Sequence, residues 1–395
     1  MSNSIKYYMR GAMTAVILLF TSGAIIQTFF TEIGFSGRQI GAYTSLISIA
    51  QIVAMVLSIF TADNIKNVKD TLAVLLLSPS LLCLALLPSC FSTNENVTII
   101  YYIALLFCVI QNLFLGFSNV LTYRLPYLII PMSDYAKLEN NNGIISGIFS
   151  IVISSIISFL ATIFPFRRIM AFGFILSLVF CLFSFILIKS MKIKPPISQP
   201  TEKESFSFKK LLKREFKYFY LPNFLRGLAM GLINIISVVC VKEITTNASV
   251  ISGLAVLLSV ASIVGCALYQ LFRRKLKTST LYMICSIQMF LFLPGMLIGK
   301  NVSIFCICYF IACIGYNIIN VSGAVYATEI ISYSDIGTYT SVRLIVMMLG
   351  QAISSYGVAV AMEYMPSVVI LIICGMAQLI SGIMYYLYDM RYRKS

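Results

Sequence analysis

The side chains that could grip a solute stand out because they are rare against an apolar background. One stretch carries Gln111, Asn112 and Asn119, and another carries Tyr316, Asn317 and Asn320; Gln27, Asn234 and Gln351 lie singly in three more. Asn112 and Asn119 are seven residues apart and Asn317 and Asn320 three, spacings that place each pair on one face of a helix. A carboxamide both donates and accepts, so the set suits a neutral solute rich in hydroxyl or amide groups, with tyrosine and phenylalanine for stacking. Each Asn or Gln has a second reading, as a plain hydrogen bond between helices. The absences are as informative. There is no histidine, which closes imidazole chemistry as base, relay or metal ligand. No nucleophile stands beside a base, so no catalytic residue and no enzyme is expected. The 11 cysteines sit in apolar runs such as Phe180-Cys181-Leu182 and Cys306-Ile307-Cys308. They form no C-x-x-C pair and no ligand spacing, so they read as buried thiols, and neither metal nor cofactor is expected.

The elements that must position these groups follow from composition. The 395 residues are 59% hydrophobic and 11% charged, with a mean hydropathy of +0.93. A soluble chain of this size needs far more polar surface. The chain is an integral membrane protein, which excludes soluble enzymes, nucleic-acid binders and disulfide scaffolds. Segments of about 20 apolar residues fall at 11–30, 39–60, 71–90, 99–123, 144–164, 169–188, 221–241, 249–271, 279–299, 303–327, 343–362 and 367–388. The first is too long for a signal peptide, and no small-residue cleavage site follows it. Twelve spans put both termini on one side. With the termini cytoplasmic, 24 Lys and Arg lie inside and 5 outside; the net charge of +15 is then mostly a topology signal. Arg167 and Arg168 are the exception, on the expected outer side. Asn96, Asn247 and Asn301 open N-x-S/T triplets in expected outer loops.

The expected architecture is an all-α membrane protein, twelve transmembrane helices in two pseudo-symmetric six-helix bundles. Residues 1–189 form the first bundle and 221–395 the second. Residues 190–220 form a cytoplasmic linker: a Pro/Ser stretch around Pro195 and Pro196, then a basic amphipathic segment from Phe208 to Lys217. The halves carry related sequence. Arg10-Gly11 opens the first span and Arg226-Gly227 the seventh. Ile40–Val53 aligns with Ile251–Val264, Asn119-Val120 with Asn320-Val321, and Ser133-Asp134 with Ser334-Asp335. Parallel repeats of six spans are a transporter signature, with the site expected near the bilayer midplane between them. Gly227 and Gly231, four apart, permit close helix approach.

On this pattern the chain resembles the major facilitator superfamily over its whole length. The segment after the second span, Ala62-Asp63 with Lys66 and Lys69, is similar to part of that family's loop motif. The resemblance implies that Asp63 helps latch one state. It also implies that spans one, four, seven and ten line a central cavity, which is where Gln27, Gln111, Asn112, Asn119, Asn234, Tyr316, Asn317 and Asn320 fall; Gln351 adds span eleven. Glu329, Tyr333 and Gly337 are similar to a segment of cation-coupled sugar carriers of the melibiose type, with Ser332 in place of an acid.

No acid lies near the middle of any expected span. Glu32, Asp63, Arg124, Glu329, Asp335 and Arg343 are the candidates for gating or coupling, and transport is either facilitated diffusion or coupled through Glu32 or Glu329. Arg124 is the main sequence hint of an anionic substrate. The expected function is a secondary transporter moving a small neutral polar solute by alternating access, monomeric, in the plasma membrane. Its partners are the solute, the lipid bilayer and, where coupled, a proton or sodium ion; no nucleic acid is involved. A lipid or polyprenyl-linked flippase is the alternative, and a transporter-like sensor or scaffold is one of another class.

Overall fold

The computed structural model describes residues 2–61, 65, 67–91, 96–129, 135–193, 214–239, 241, 244–245, 247–298, 301–330 and 336–392. Among these the regular structure is helical, without strands. Eleven segments are long and apolar enough to cross a membrane. With the helix Arg214–Val239 they give twelve, in the order the hydropathy implies. Large apolar side chains such as Phe172, Leu182 and Phe183 are exposed, while Ser177 and Ser184 of the same helix are buried. That inversion of the soluble pattern suits a lipid solvent, in which small and hydroxyl side chains let helices approach.

The helices depart from the expected limits in ways that matter for the site. The first span is two helices, Asn3–Thr21 and Ala24–Glu32. They are separated where Gly23 takes φ 77°, a left-handed conformation that glycine adopts without strain. The helix starts well before residue 11, so Arg10 lies inside it, only 5% exposed, and not at a solvated end. The third span is likewise broken, into Val68–Leu75 and Ser78–Leu86 ahead of a short turn at Pro88–Cys90. The ninth runs through Thr278–Cys285, a tighter 3₁₀ stretch Ser286–Leu291, and Phe292–Leu297. The fourth and tenth are the long continuous rods, Val97–Ile129 and Val302–Ile330; Pro126 does not end the fourth. The described part of the seventh helix runs from Arg214, so Arg214–Lys217 are continuous with it. Residues 194–213 lie outside the described residues.

Asn96, Asn247 and Asn301 turn out to be helix caps. Their side-chain oxygens accept from the backbone N–H of Thr98, Ser249 and Ser303 at 3.0, 2.9 and 2.9 Å. A cap satisfies donors that lipid cannot, and each contributes about 1 kcal/mol.

The chain forms two compact units, residues 1–39 with 49–205, and residues 40–48 with 206–395. In the first unit a core cluster includes Tyr7, Leu72, Leu121, Leu125 and Ile188. The end of the sixth helix, Phe166–Lys189, is tied down by donors from elsewhere. Lys6 Nζ reaches the carbonyl of Ser190 (2.6 Å), Lys69 Nζ that of Lys189 (3.2 Å), and Asn3 Nδ2 that of Lys192 (2.7 Å). Cations on the last carbonyls of a helix complement its dipole. Arg167, the exception to the charge pattern, acts in a comparable way. Its Nη2 donates to the carbonyl of Glu32 (3.4 Å) at the close of the first span.

In the second unit Tyr282, Tyr326 and Tyr385 cluster, with ring centroids of Tyr282 and Tyr385 4.5 Å apart. Residues 40–48 belong here, Ser45 Oγ donating to the carbonyl of Ala352 at 2.8 Å. Three glycines bring the seventh and eleventh spans into backbone contact. A Cβ on Gly227 would lie 2.0 Å from the carbonyl oxygen of Met347, one on Gly231 2.7 Å from that of Gln351, and one on Gly350 2.4 Å from that of Phe224.

Candidate functional site

In the first unit a cavity of about 140 Å³ opens among the first four spans, with Arg10, Thr14, Gln51, Ser118, Asn119 and Thr122 supplying its polar lining. Arg10 enters from the first span and donates from Nη1 to Thr122 Oγ1 of the fourth at 3.3 Å. Its guanidinium also lies over the Tyr7 ring, 4.8 Å from the centroid. Gln51 of the second span donates to Asn112 Oδ1 at 2.9 Å, and Asn112 returns its own Nδ2 to the carbonyl of Cys108 at 2.9 Å. Asn119, two turns further along the same helix, is exposed and faces the cavity. A larger cleft of about 280 Å³ lies near Asn96 and Ile100, but its two polar side chains are spent on local bonds, Asn96 on its cap and Ser89 Oγ on the carbonyl of Leu86.

The expected carboxamides therefore divide by what they touch. Asn119 lines the cavity, and Gln51, absent from the expected set, lines it and holds Asn112 in place. Gln111 is buried against the third span, its main-chain carbonyl accepting from Ser78 Oγ at 3.4 Å. Gln27 is buried beyond the Gly23 break.

In the second unit Arg226, 3% exposed, donates from Nη2 to Asn320 Oδ1, and the Tyr316 hydroxyl lies beside the same Asn320 side chain. Asn317 does not share this face. Its Nδ2 bonds back to the carbonyl of Cys313 at 2.8 Å, and its Cβ packs over Gly265 of the eighth span. The expected pairing of Asn317 with Asn320 is thus corrected: three positions apart on one helix, they point to different neighbouring helices. Gln351 is half-buried where the seventh and eleventh spans meet. The side chain of Asn234 lies outside the described residues, as do those of Arg124 and Glu329, and Asp63 and Asp335 entirely.

Arg343 is 9% exposed, a buried cation and not a solvated helix end. Glu32 is exposed. Two further acids belong to pseudo-equivalent joints, the start of a half's third helix against the end of its sixth. Asp70 pairs with Lys189 at 2.7 Å, and Asp389 accepts from Ser279 Oγ at 2.8 Å. Among the described residues no group of three or more potential ligands could hold a metal ion.

Arg10 and Arg226 are each buried and each bonded to the fourth helix of their own half. The signal was present in the repeated Arg-Gly of the first and seventh spans, but a cation near a span limit reads as an anchor.

The sequence model described as Major Facilitator Superfamily matches residues 10–355. No curated protein matches. Among solved structures, a D-xylose–proton symporter has a TM-score of 0.75 at 14% identity, covering 97% of this chain and 96% of its own. The nucleoside transporter NupG has a TM-score of 0.68 at 15% identity, covering 99% and 100%. A transporter of the POT family, in complex with a thioalcohol-conjugated peptide, has a TM-score of 0.70 at 11% identity, covering 98% and 96%.

Proposed function

The chain belongs to the Major Facilitator Superfamily, and from that premise we propose that it carries a small polar solute across the plasma membrane by alternating access, with both termini cytoplasmic. It is a secondary transporter and an integral membrane protein, and it is not an enzyme. The solute is of the size of a sugar or a nucleoside, the substrate classes named for two of the similar structures.

The observation that carries this reading is the cavity of the first unit. Its volume suits a fragment of a solute more than a lipid chain, and its lining alternates donors and acceptors: the Arg10 guanidinium, the Thr14, Ser118 and Thr122 hydroxyls, and the Gln51 and Asn119 carboxamides. A flippase would want an apolar path. Asn320 and Tyr316 supply the corresponding hydrogen-bonding groups in the second unit.

Uptake into proteoliposomes tests it, with D-xylose and uridine as probes. Saturable uptake of one of them is expected. Asn119→Ala should raise KM about tenfold, the loss of one or two hydrogen bonds. Unaltered kcat/KM in both Asn119→Ala and Thr14→Val would remove the cavity from the transport path.

A further inference from the structure

Arg226 and Arg343 come together at one glycine. A Cβ on Gly323 would lie 2.8 Å from Arg226 Nη1 and 3.5 Å from Arg343 Nη1, so both guanidinium edges converge on the bare backbone of the tenth span. Both side chains are more than nine-tenths buried. Among the described residues, Nε and Nη1 of each arginine are buried without a hydrogen-bond partner, and neither arginine meets a carboxylate. The juxtaposition is built in. Arg226 precedes Gly227, and Arg343 lies one turn before Met347, whose carbonyl packs on Gly227.

The first half shows what is missing. The alignment that pairs Asn119 with Asn320 also pairs Thr122 with Gly323. In the first half the arginine of the opening span donates to that threonine hydroxyl. In the second half the equivalent position offers no side chain, and a second arginine is added. The acceptor is gone from the very place where the donors are doubled. An arginine cannot shed its proton to escape burial, and unpaired buried charge is strongly unfavourable. The arrangement calls for an anion.

We propose that Arg226 and Arg343, with Asn320 as the orienting acceptor, form a binding site for an oxyanionic group, phosphate or carboxylate, carried by the transported solute. This rests on the solute-transporter reading and refines it, from a neutral solute to one bearing an anionic group. A planar guanidinium fork matches the oxygens of either group, and two forks at one point hold it from two helices.

The test is a melting curve of the purified full-length protein in detergent without added anionic lipid, titrated with inorganic phosphate and, separately, acetate at constant ionic strength. Saturable stabilisation by at least one is expected, since a ligand stabilises the state it binds. Arg343→Gln should weaken that apparent affinity at least about tenfold, and Arg343→Lys, which keeps the charge and loses the fork, by less. Gly323→Ala, which sets a methyl against both guanidinium edges, gives a second route to the same loss should Arg343→Gln fold poorly. Arg167→Gln is the surface control and should bind as wild type. Wild type indifferent to both anions, or Arg343→Gln responding as wild type does, would overturn the site. So would anion binding that emerges only in Glu329→Gln or Asp335→Asn, which would make an internal carboxylate the counter-ion. Uptake by Asn119→Ala separates the two levels. Anion binding lost in Arg343→Gln while Asn119→Ala and Thr14→Val both transport normally supports the anion site and sinks the cavity reading; altered uptake in Asn119→Ala with no anion binding sinks the anion site alone.

Discussion

Gly227→Ala is the sharpest test of the packing that brings Arg226 to Arg343. The added methyl would meet the Met347 carbonyl oxygen at 2.0 Å, its carbon at 2.9 Å and the Gln351 nitrogen at 3.1 Å. All three are backbone atoms of a helix and cannot swing aside. A carbon rests no closer than about 3.3 Å from a carbonyl oxygen, so the seventh and eleventh spans must part by more than about 1 Å. Overpacking of this kind costs about 1–3 kcal/mol, and an unyielding backbone places it at the upper end. Alanine recovers about 1 kcal/mol through its better helix propensity. The net loss is about 2 kcal/mol, or a fall in Tm of roughly 2–3 °C for a chain of this length. The assay is a thermal melt followed with a thiol-reactive dye, because buried cysteines such as Cys83, Cys108, Cys181 and Cys313 become reactive only on unfolding. Gly143→Ala is the counterpart: it sits within the helix Tyr135–Leu160, and nothing lies within 4 Å of the new methyl, so it should melt at or slightly above the wild-type temperature. A Gly227→Ala protein that melts with wild type, or a Gly143→Ala protein that falls as far, would refute the packing argument.

Three other outcomes rest on single contacts. Ser279→Ala removes a hydrogen bond to the buried Asp389 carboxylate and should lower stability by about 2 kcal/mol, read in the same melt. Lys189→Gln breaks the ion pair with Asp70, but the two side chains are 42% and 36% exposed; a change above about 1 kcal/mol would contradict its solvent-screened character. Glu32→Gln should leave proteoliposome uptake and its response to an imposed proton gradient unchanged, since the carboxylate faces solvent; a variant that loses gradient-driven uptake would make Glu32 the coupling group.

Much of the fold was legible because lipid imposes one rule on every span, a run of apolar residues long enough to cross. Asn119 was legible for a related reason: a polar side chain on a long helix facing neither lipid nor packed core has few places to go. Gln51 escapes a sequence reading because it lies on the second span, outside the four that the resemblance makes cavity-lining, and Thr14 because a lone threonine among many hydroxyls carries no spacing signal. Asn317 misleads because three residues turn a helix through about 300°, and the neighbours decide whether the remaining offset matters. Here Gly265 opens the eighth span to one asparagine and Arg226 claims the other. Arg10 reads as one of the cytoplasmic charges because hydropathy locates an apolar window, whereas the helix that contains it begins at Asn3.

The kink at Gly23 bears on how the first span can be read at all. Within a helix each residue advances the face by about 100°, so any side chain predicts the direction of every other. At Ser22 and Gly23 the backbone leaves helical angles, with φ of −151° and 77°, and that angular count restarts. The Arg10 direction therefore says nothing about that of Gln27, and the span presents two independent phases. Gly23→Ala, which disfavours this positive-φ, glycine-only backbone conformation by roughly 1–3 kcal/mol, would push the two pieces toward one continuous phase and turn Gln27 and Thr28 to new neighbours while Arg10 kept its own.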